Sequence, residues 1–256
     1  MSAVRPRLAV WKFSSCDGCQ LSLLASHGDL LQMAQAMDIA YFAEASSSMR
    51  DGPYDISLVE GSVSTTADVQ RLQRVREQSG LLVAIGACAT GGGIQALRNP
   101  DDAQAWERAV YPRPQWLHSL PTATPLHAHV QVDHALQGCP VDAGQLQQLL
   151  AALLAGRRAE PAGGSVCMDC KVAGHVCVMV QGEPCLGPII HAGCGALCPG
   201  LRRGCYGCFG PLPDASTSAL AAQWLRLGAS PRRLRLALHS IHVVPLPADA
   251  HASPED

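Results

Sequence analysis

Cysteine is the residue type through which this chain could do chemistry. The 256-residue sequence holds twelve cysteines, and four of them are scattered over the first 140 residues. The other eight crowd into residues 167–208, spaced C-x2-C-x6-C-x7-C and then C-x3-C-x6-C-x2-C. Zinc sites and cubane iron–sulfur clusters both take four thiolates, so twelve cysteines suggest three four-thiolate sites.

The scattered cysteines are predicted to form one site. They are Cys16, Cys19, Cys88 and Cys139. Cys16 and Cys19 are predicted to follow a strand, and Cys88 and Cys139 to end one. Ligands of open α/β sheets gather beyond the carboxyl ends of the strands. A lone buried cysteine is often only a small hydrophobic residue, but four of them at strand ends make a coincidence improbable. Glu60 also ends a predicted strand, where a carboxylate is often a helix cap, so its role stays open.

Strands and helices are predicted to alternate through the first part of the chain. Strands are predicted over 7–13, 38–44, 55–61, 80–88 and 129–138. Helices are predicted over 20–37, 66–78, 101–109 and 143–156. This alternation implies a parallel, doubly wound sheet, and the N-terminus of the helix over 20–37 would favour a negatively charged cluster. A change in composition near 156–164 predicts one domain over 1–156 and another over 157–256.

The eight later cysteines lie in a segment with little periodicity. Half of the 24 glycines fall within residues 156–210, so bound metal must organise this segment. Zinc and iron–sulfur both stay open on this segment alone. A third four-cysteine site elsewhere, and the scarcity of charged residues around the ligands, favour iron–sulfur.

Charge and hydropathy exclude several classes of protein. The chain has 19 basic and 21 acidic residues, which gives no electrostatic case for binding nucleic acid or an anionic membrane. No run approaches 18 apolar residues, so no transmembrane segment is expected. The first residues lack a signal-peptide pattern, and a cytoplasmic location is therefore expected, where disulfides are disfavoured.

Several motifs resemble the small subunits of [NiFe]-hydrogenases, whose proximal-cluster fold is shared with the small subunit of respiratory complex I, the 20 kDa subunit. The motifs are CDGCQLSLL (16–24), EGSVST (60–65), GACATGG (86–92) and GCPVD (138–142). A later segment, PCLGPIIHAGCGALCPGLRRGCYGC (184–208), resembles the part that holds medial and distal clusters. The C-x2-C spacing at 16–19 is that of hydrogenases, since the two cysteines are adjacent in the complex I relative.

The resemblance implies a flavodoxin-like parallel sheet domain, followed by a small, irregular, cysteine-rich domain with two clusters and a C-terminal tail. It implies three [4Fe–4S] clusters. The proximal ligands are then Cys16, Cys19, Cys88 and Cys139. The distal ligands are Cys167, Cys170, Cys177 and Cys185. The medial ligands are Cys194, Cys198, Cys205 and Cys208. Cys167 stands where periplasmic members have a histidine, and Cys198 adds a fourth medial thiolate, so the cytosolic, sulfhydrogenase delta-type branch is favoured. His175 and His191 then need no ligand role.

The function implied by the resemblance is electron transfer. The nickel–iron site would lie on a separate large subunit, so no catalytic residue is expected here. A flavin- and iron–sulfur-containing diaphorase subunit, with NAD(P) as carrier, is the expected second partner, and Glu60 is a candidate for an interface or proton-related role. Two alternatives stay open: a complex I-like quinone or ferredoxin oxidoreductase subunit, and a non-redox zinc scaffold.

Overall fold

The protein is described here by a computed structural model that covers residues 5–25, 33–100, 102–157 and 163–242. The chain divides into two compact units, Met1–Ala159 and Glu160–Asp256. Within the described residues, no helix is long and apolar enough to span a bilayer.

A five-stranded parallel sheet forms the centre of the first unit. The strands of this unit are β1 (Arg7–Lys12), β2 (Asp38–Phe42), β3 (Tyr54–Glu60), β4 (Val63–Thr65), β5 (Ser79–Ile85), β6 (Ser119–Thr124) and β7 (His134–Leu136). The large sheet has the order β2-β1-β3-β5-β7, and β4 pairs with β6 in a separate antiparallel ribbon. Because β4 and β6 lie outside it, the large sheet has the flavodoxin-type order, which confirms the predicted fold class.

Helices connect these strands. They are α1 (Gly18–Ala25), α2 (Thr66–Glu77), α3 (Gly86–Gly91), α4 (Ala103–Val110) and α5 (Ala143–Leu154). The predicted helix over 20–37 is found at its start and again at 33–36, and residues 26–32 lie outside the described residues. A capping box begins α2, where the side chain of Thr65 accepts from Asp68 N and the Asp68 carboxylate accepts from Thr65 N.

The sheet carries a hydrophobic core on each face. Alternate residues of β1 point to opposite faces, so Leu8 and Val10 belong to one cluster and Ala9 and Trp11 to the other. The first cluster includes Leu146 of α5, and the second includes Leu72 of α2. Burial on both faces explains why the central strands have nearly continuous apolar sequences.

Two predicted strands differ by several residues from the observed ones. The strand predicted over 80–88 ends at Ile85, because Gly86 adopts a φ of +82° and turns the chain into α3. The strand predicted over 129–138 is reduced to β7. Asp133 directly precedes β7. The amide of Leu82 donates a hydrogen bond to the Asp133 carboxylate rather than to a backbone carbonyl.

Asp133 is expected to stabilise the first unit. Its carboxylate accepts from Leu82 N at 2.7 Å and from Arg76 at 2.5 Å. Burial raises the pKa of Asp133, but these hydrogen bonds and the charge of Arg76 outweigh burial and lower the pKa overall. Asp133→Ala is expected to reduce the free energy of unfolding by about 1.5–3 kcal/mol at pH 7, measured by urea denaturation of the purified protein.

The pH dependence of this contribution has a definite sign. A carboxyl group whose pKa falls on folding stabilises the protein above its ordinary pKa of about 3.9, and this stabilisation is lost as the pH falls through the folded pKa. The difference between Asp133→Ala and the unaltered protein should therefore shrink in acid. Glu183→Ala, which removes an exposed ion pair with Arg233, is the control and should change stability by less than about 1 kcal/mol. Equal effects of both substitutions at pH 7 would contradict the prediction.

The second unit is irregular except for short helices. They are α6 (Val166–Val172), α7 (Leu197–Gly200), α8 (Thr217–Arg226) and α9 (Pro231–Leu238). Its core joins residues of the cysteine-rich loops, such as Ile190, to Trp224 of α8 and Leu238 of α9. Residues 209–242 are therefore more than a tail, since their two helices complete the core of this unit.

Candidate iron–sulfur sites

The carboxyl edge of the large sheet carries all four scattered cysteines. Cys16 follows β1, Cys19 lies in the first turn of α1, Cys88 lies within α3, and Cys139 lies three residues beyond β7. Each cysteine is thus carried by a loop or a short helix that follows a strand, rather than by the strand itself. The structure brings the four predicted proximal residues to the same edge of the sheet.

The thiols at this edge interact with one another. Burial, followed by the charges of Cys139 and Cys16, raises the pKa of Cys88 to about 11. Burial, followed by the charges of Glu60, Cys88 and Cys139, raises the pKa of Cys19 well above its ordinary value. The charged thiolate forms of these cysteines are disfavoured, and a bound cation would stabilise them. Metal binding at this site would therefore release protons, and the affinity for metal would rise with pH.

Two glycines leave room for sulfur at this edge. A Cβ at Gly86 would lie 2.3 Å from Cys19 Sγ, and a Cβ at Gly93 would lie 2.5 Å from Cys88 Sγ. Both glycines also have a positive φ, which side chains rarely adopt. The backbone is therefore shaped to pass close to the sulfurs, which fits a bulky inorganic group held by four thiolates.

Glu60 caps α1. It is the last residue of β3, is 2% exposed, and accepts hydrogen bonds from Cys19 N at 3.1 Å and Gln20 N at 3.3 Å. A buried carboxylate at a helix N-terminus satisfies amides that have no partner inside the helix. The sequence left open whether Glu60 is a helix cap, and these contacts show that it is one. An interface or proton-related role for Glu60 stays a prediction.

Gln95 is a site residue that sequence reasoning missed. Its side-chain amide donates to Ser14 O at 2.9 Å and, by a hydrogen bond, lowers the pKa of Cys88 against the larger effect of burial. It thereby links the loop that carries Cys16 to the helix that carries Cys88. No sequence signal marks it, because the contact joins residues 81 positions apart.

The first four cysteines of the second unit form one group. Cys167 and Cys170 lie on α6, and Cys177 and Cys185 lie in the loops that follow. Burial, followed by the charges of the other three thiolates, raises the pKa of Cys170. Burial is also the largest cause that raises the pKa of Cys185, with smaller contributions from Cys177 and Cys167. The predicted distal set is therefore brought together.

The last four cysteines form a second group. Burial, followed by the charge of Cys194, raises the pKa of Cys198 on α7. Burial raises the pKa of Cys205 to about 12, with further contributions from Cys185, Cys208 and Cys194. These effects link Cys205 to Cys194 and Cys208 of the predicted medial set and also to Cys185 of the predicted distal set, so the division between the two sets stays a prediction.

The described residues contain no ready-made site for a single metal ion. In the part of the chain that the structure describes, no three His, Cys, Asp or Glu side chains are placed to hold one metal ion. A tetrahedral zinc ion with Zn–S distances of 2.3 Å would draw its thiolates to within roughly 4 Å of one another. A cubane distributes four thiolates over four irons instead, so its ligands lie farther apart.

Fold and cysteine placement together define a class of protein: an electron-transfer subunit that carries iron–sulfur clusters. Residues 16–153 match the family model described as the NADH ubiquinone oxidoreductase, 20 Kd subunit. The chain belongs to this family, as a [NiFe]-hydrogenase small-subunit-type protein and hence a subunit of an oxidoreductase. This confirms the resemblance drawn from the motifs.

Three relatives illustrate the relationship. The chain is 36% identical over 210 residues to sulfhydrogenase 2 subunit delta of Pyrococcus furiosus, covering 81% of this chain and 87% of the relative. It is 28% identical over 166 residues to the delta subunit of the NAD-reducing hydrogenase HoxS of Cupriavidus necator, covering 59% and 79%. A solved structure of NAD+-reducing [NiFe]-hydrogenase in the H2-reduced state aligns with a TM-score of 0.56 at 29% identity, covering 61% of this chain and 94% of that chain.

Proposed function

We propose that this chain is the electron-transfer small subunit of a [NiFe]-hydrogenase that carries three [4Fe–4S] clusters. The observation that carries the proposal is the grouping of its cysteines. Four cysteines lie at the carboxyl edge of the sheet, and eight lie between residues 167 and 208 of the second unit, where their spacing favours two sets of four. Three such groups match the number of thiolates that three cubane clusters require.

The ligand sets follow from these groups. The proximal set is Cys16, Cys19, Cys88 and Cys139. The distal set is Cys167, Cys170, Cys177 and Cys185. The medial set is Cys194, Cys198, Cys205 and Cys208. Each bound cluster would supply one-electron redox chemistry. The chain itself holds the thiolates and directs N–H groups at sulfur, as Gly187 N does to Cys185 Sγ at 3.4 Å and Gly207 N to Cys205 Sγ at 3.5 Å. Such bonds stabilise thiolates and tune reduction potentials.

A large subunit is the first proposed partner, and it would hold the nickel–iron site. Apolar side chains stand exposed beside the proximal set: Leu21 on α1 is 58% exposed, and Ile94 just beyond α3 is 64% exposed. Large exposed aliphatic side chains next to a water-sensitive site favour a covering partner. We place its interface around residues 16–24, 60–65 and 88–93.

A diaphorase-type subunit that contains flavin and iron–sulfur clusters is the second proposed partner, with NAD(P) as the carrier. The NAD+-reducing hydrogenase structure is almost fully aligned yet covers only 61% of this chain. The sulfhydrogenase delta subunit aligns with 81% of this chain. An alignment of that length must include most of the cysteine-rich segment, wherever in the chain it begins. The second unit, with its two proposed cluster sets, therefore favours the sulfhydrogenase-like arrangement.

Metal analysis tests this proposal. Anaerobically purified protein is expected to contain about twelve irons per chain and little zinc, because each cubane has four irons and four thiolates. A variant with Cys167→Ala and Cys170→Ala should lose about four irons and keep about eight. About four irons with two zinc ions per chain would refute the assignment of the second unit and favour a zinc scaffold there.

A further inference from the structure

One hydrogen-bonded contact joins the two predicted cysteine sets of the second unit. The backbone N–H of Cys205 donates to Cys185 Sγ at 3.2 Å, and the N–H of Leu186 donates to Cys205 O at 3.2 Å. Both polar groups of the Cys205 backbone are thus engaged by the neighbouring loop. Cys185 and Cys205 are both buried, so the contact is shielded from water.

This bond differs from the other two N–H···S bonds in the described part of the second unit. Gly187 and Gly207 each donate to the sulfur two residues earlier, within one loop. The Cys205 amide donates across 20 residues, to a sulfur of the other set. It is therefore a contact between the two sets rather than a feature of one cysteine loop.

Gly204 makes the close approach possible. A Cβ at this position would lie 1.9 Å from Pro184 O and 3.1 Å from Pro184 C. The obstacle is backbone, so it cannot rotate aside as the end of a flexible side chain could. Gly204 does not have a positive φ, so space rather than backbone conformation requires glycine here.

We propose that Gly204 is a positioning residue that lets the Cys205 amide bond to Cys185 Sγ, and that this bond couples the distal and medial cluster sites. The inference deepens the proposed function and rests on it. An N–H donor withdraws charge from the thiolate, which makes the distal site easier to reduce. The bond also joins Cys185 to the backbone of Cys205. With clusters bound, an electron that passed between the two sites would oxidise one and reduce the other, and the amide proton would stay on nitrogen.

Gly204→Ala in the assembled complex tests the proposal. The added methyl group should separate the two loops and break the bond without removing a ligand, so about twelve irons should remain. One of the three midpoint potentials, followed by redox titration with electron paramagnetic resonance, should shift to a more negative value. The Cys205 amide should exchange with deuterium faster. Hydrogen-driven carrier reduction should fall, while hydrogen isotope exchange should not.

Gly163→Ala is the matched control, because a Cβ there would meet no described atom within 4 Å and the glycine has no positive φ. The proposal is wrong if Gly204→Ala keeps its iron and matches this control in all three potentials and in amide exchange. If instead Gly204→Ala fails to load iron, unaltered protein labelled with 15N-cysteine decides. Electron–nuclear double resonance should show an exchangeable amide proton and its 15N coupled to a cluster, and their absence would overturn the proposal.

A different result identifies failure of the proposed function itself. If the unaltered protein lacks about twelve irons, the cluster assignment fails before the variant is considered. If it has them and the variant shows no effect, only the inference about Gly204 fails.

Discussion

A Cys205→Ser variant is expected to keep hydrogen isotope exchange but lose most hydrogen-driven reduction of the electron carrier. Cys205 is a buried member of the proposed medial set, and its sulfur accepts the amide of Gly207. A serine hydroxyl is a harder, poorer ligand for iron–sulfur iron than a thiolate. Changes in outer-shell partners alone cost about 10–100-fold in activity or metal affinity, so loss of a ligand should cost at least about 100-fold in carrier reduction.

The informative quantity is the ratio of the two activities measured on one assembled complex. Isotope exchange needs the large subunit's metals but no electron exit, whereas carrier reduction needs every relay site. Tyr206→Phe is the control, because Tyr206 is exposed in the same loop and carries no thiolate. Full carrier reduction in Cys205→Ser would remove Cys205 from the electron route. Loss of both activities, with subunits assembled and large-subunit metals retained, would refute a relay-only role for this chain.

Apolar runs were sufficient to predict the sheet, whereas the grouping of cysteines, predicted from their spacing, stays a prediction. Strands β1, β3 and β5 are buried on both faces, and continuous apolar sequence is the signal of such strands. Local spacing also placed the eight later cysteines in two sets. The assignment of particular cysteines to clusters remains a proposal that metal analysis will test.

The ends of elements were harder to predict, because side chains replace backbone partners there. At the start of β7, the Asp133 carboxylate accepts the Leu82 amide, and Asp133 N donates to Leu82 O. The hydrogen bonds between β5 and β7 therefore begin with a side chain, and the alternation of apolar and polar residues that predicts a strand does not reveal this. At the end of β5, the positive φ of Gly86 moves Cys88 from a strand end into α3.

Contacts between distant residues were beyond the reach of sequence reasoning. Glu60 reaches the amide of Cys19 across 41 positions, and the Cys205 amide reaches Cys185 across 20. Glycine counts had suggested that backbone approaches an inorganic group. They could not distinguish Gly204, which faces a carbonyl, from Gly163, whose missing side chain faces open space. That distinction depends on which loops pack together.

Gly86→Ala is expected to abolish loading of the proximal set while the other two sets keep their iron. The Cβ of an alanine at position 86 would lie 2.3 Å from Cys19 Sγ, which is much shorter than van der Waals contact. The thiol would therefore have to rotate away from the cluster that it is proposed to bind. The φ of +82° adds a strain of about 1–3 kcal/mol for a residue with a side chain. Iron should therefore fall from about twelve to about eight per chain.

Gly156→Ala separates the two causes of this loss. Gly156 has a φ of +62°, but a Cβ there would meet no described atom within 4 Å, so the substitution introduces similar backbone strain without any approach to sulfur. It should reduce stability slightly without loss of iron.

Iron analysis and the spectrum of the reduced protein, measured on both variants in parallel, distinguish the two causes. If Gly86→Ala retains about twelve irons, the close passage of backbone past Cys19 is not needed to hold a cluster, and the proximal site must be built differently. If both variants lose about four irons, backbone strain rather than contact with sulfur is the cause.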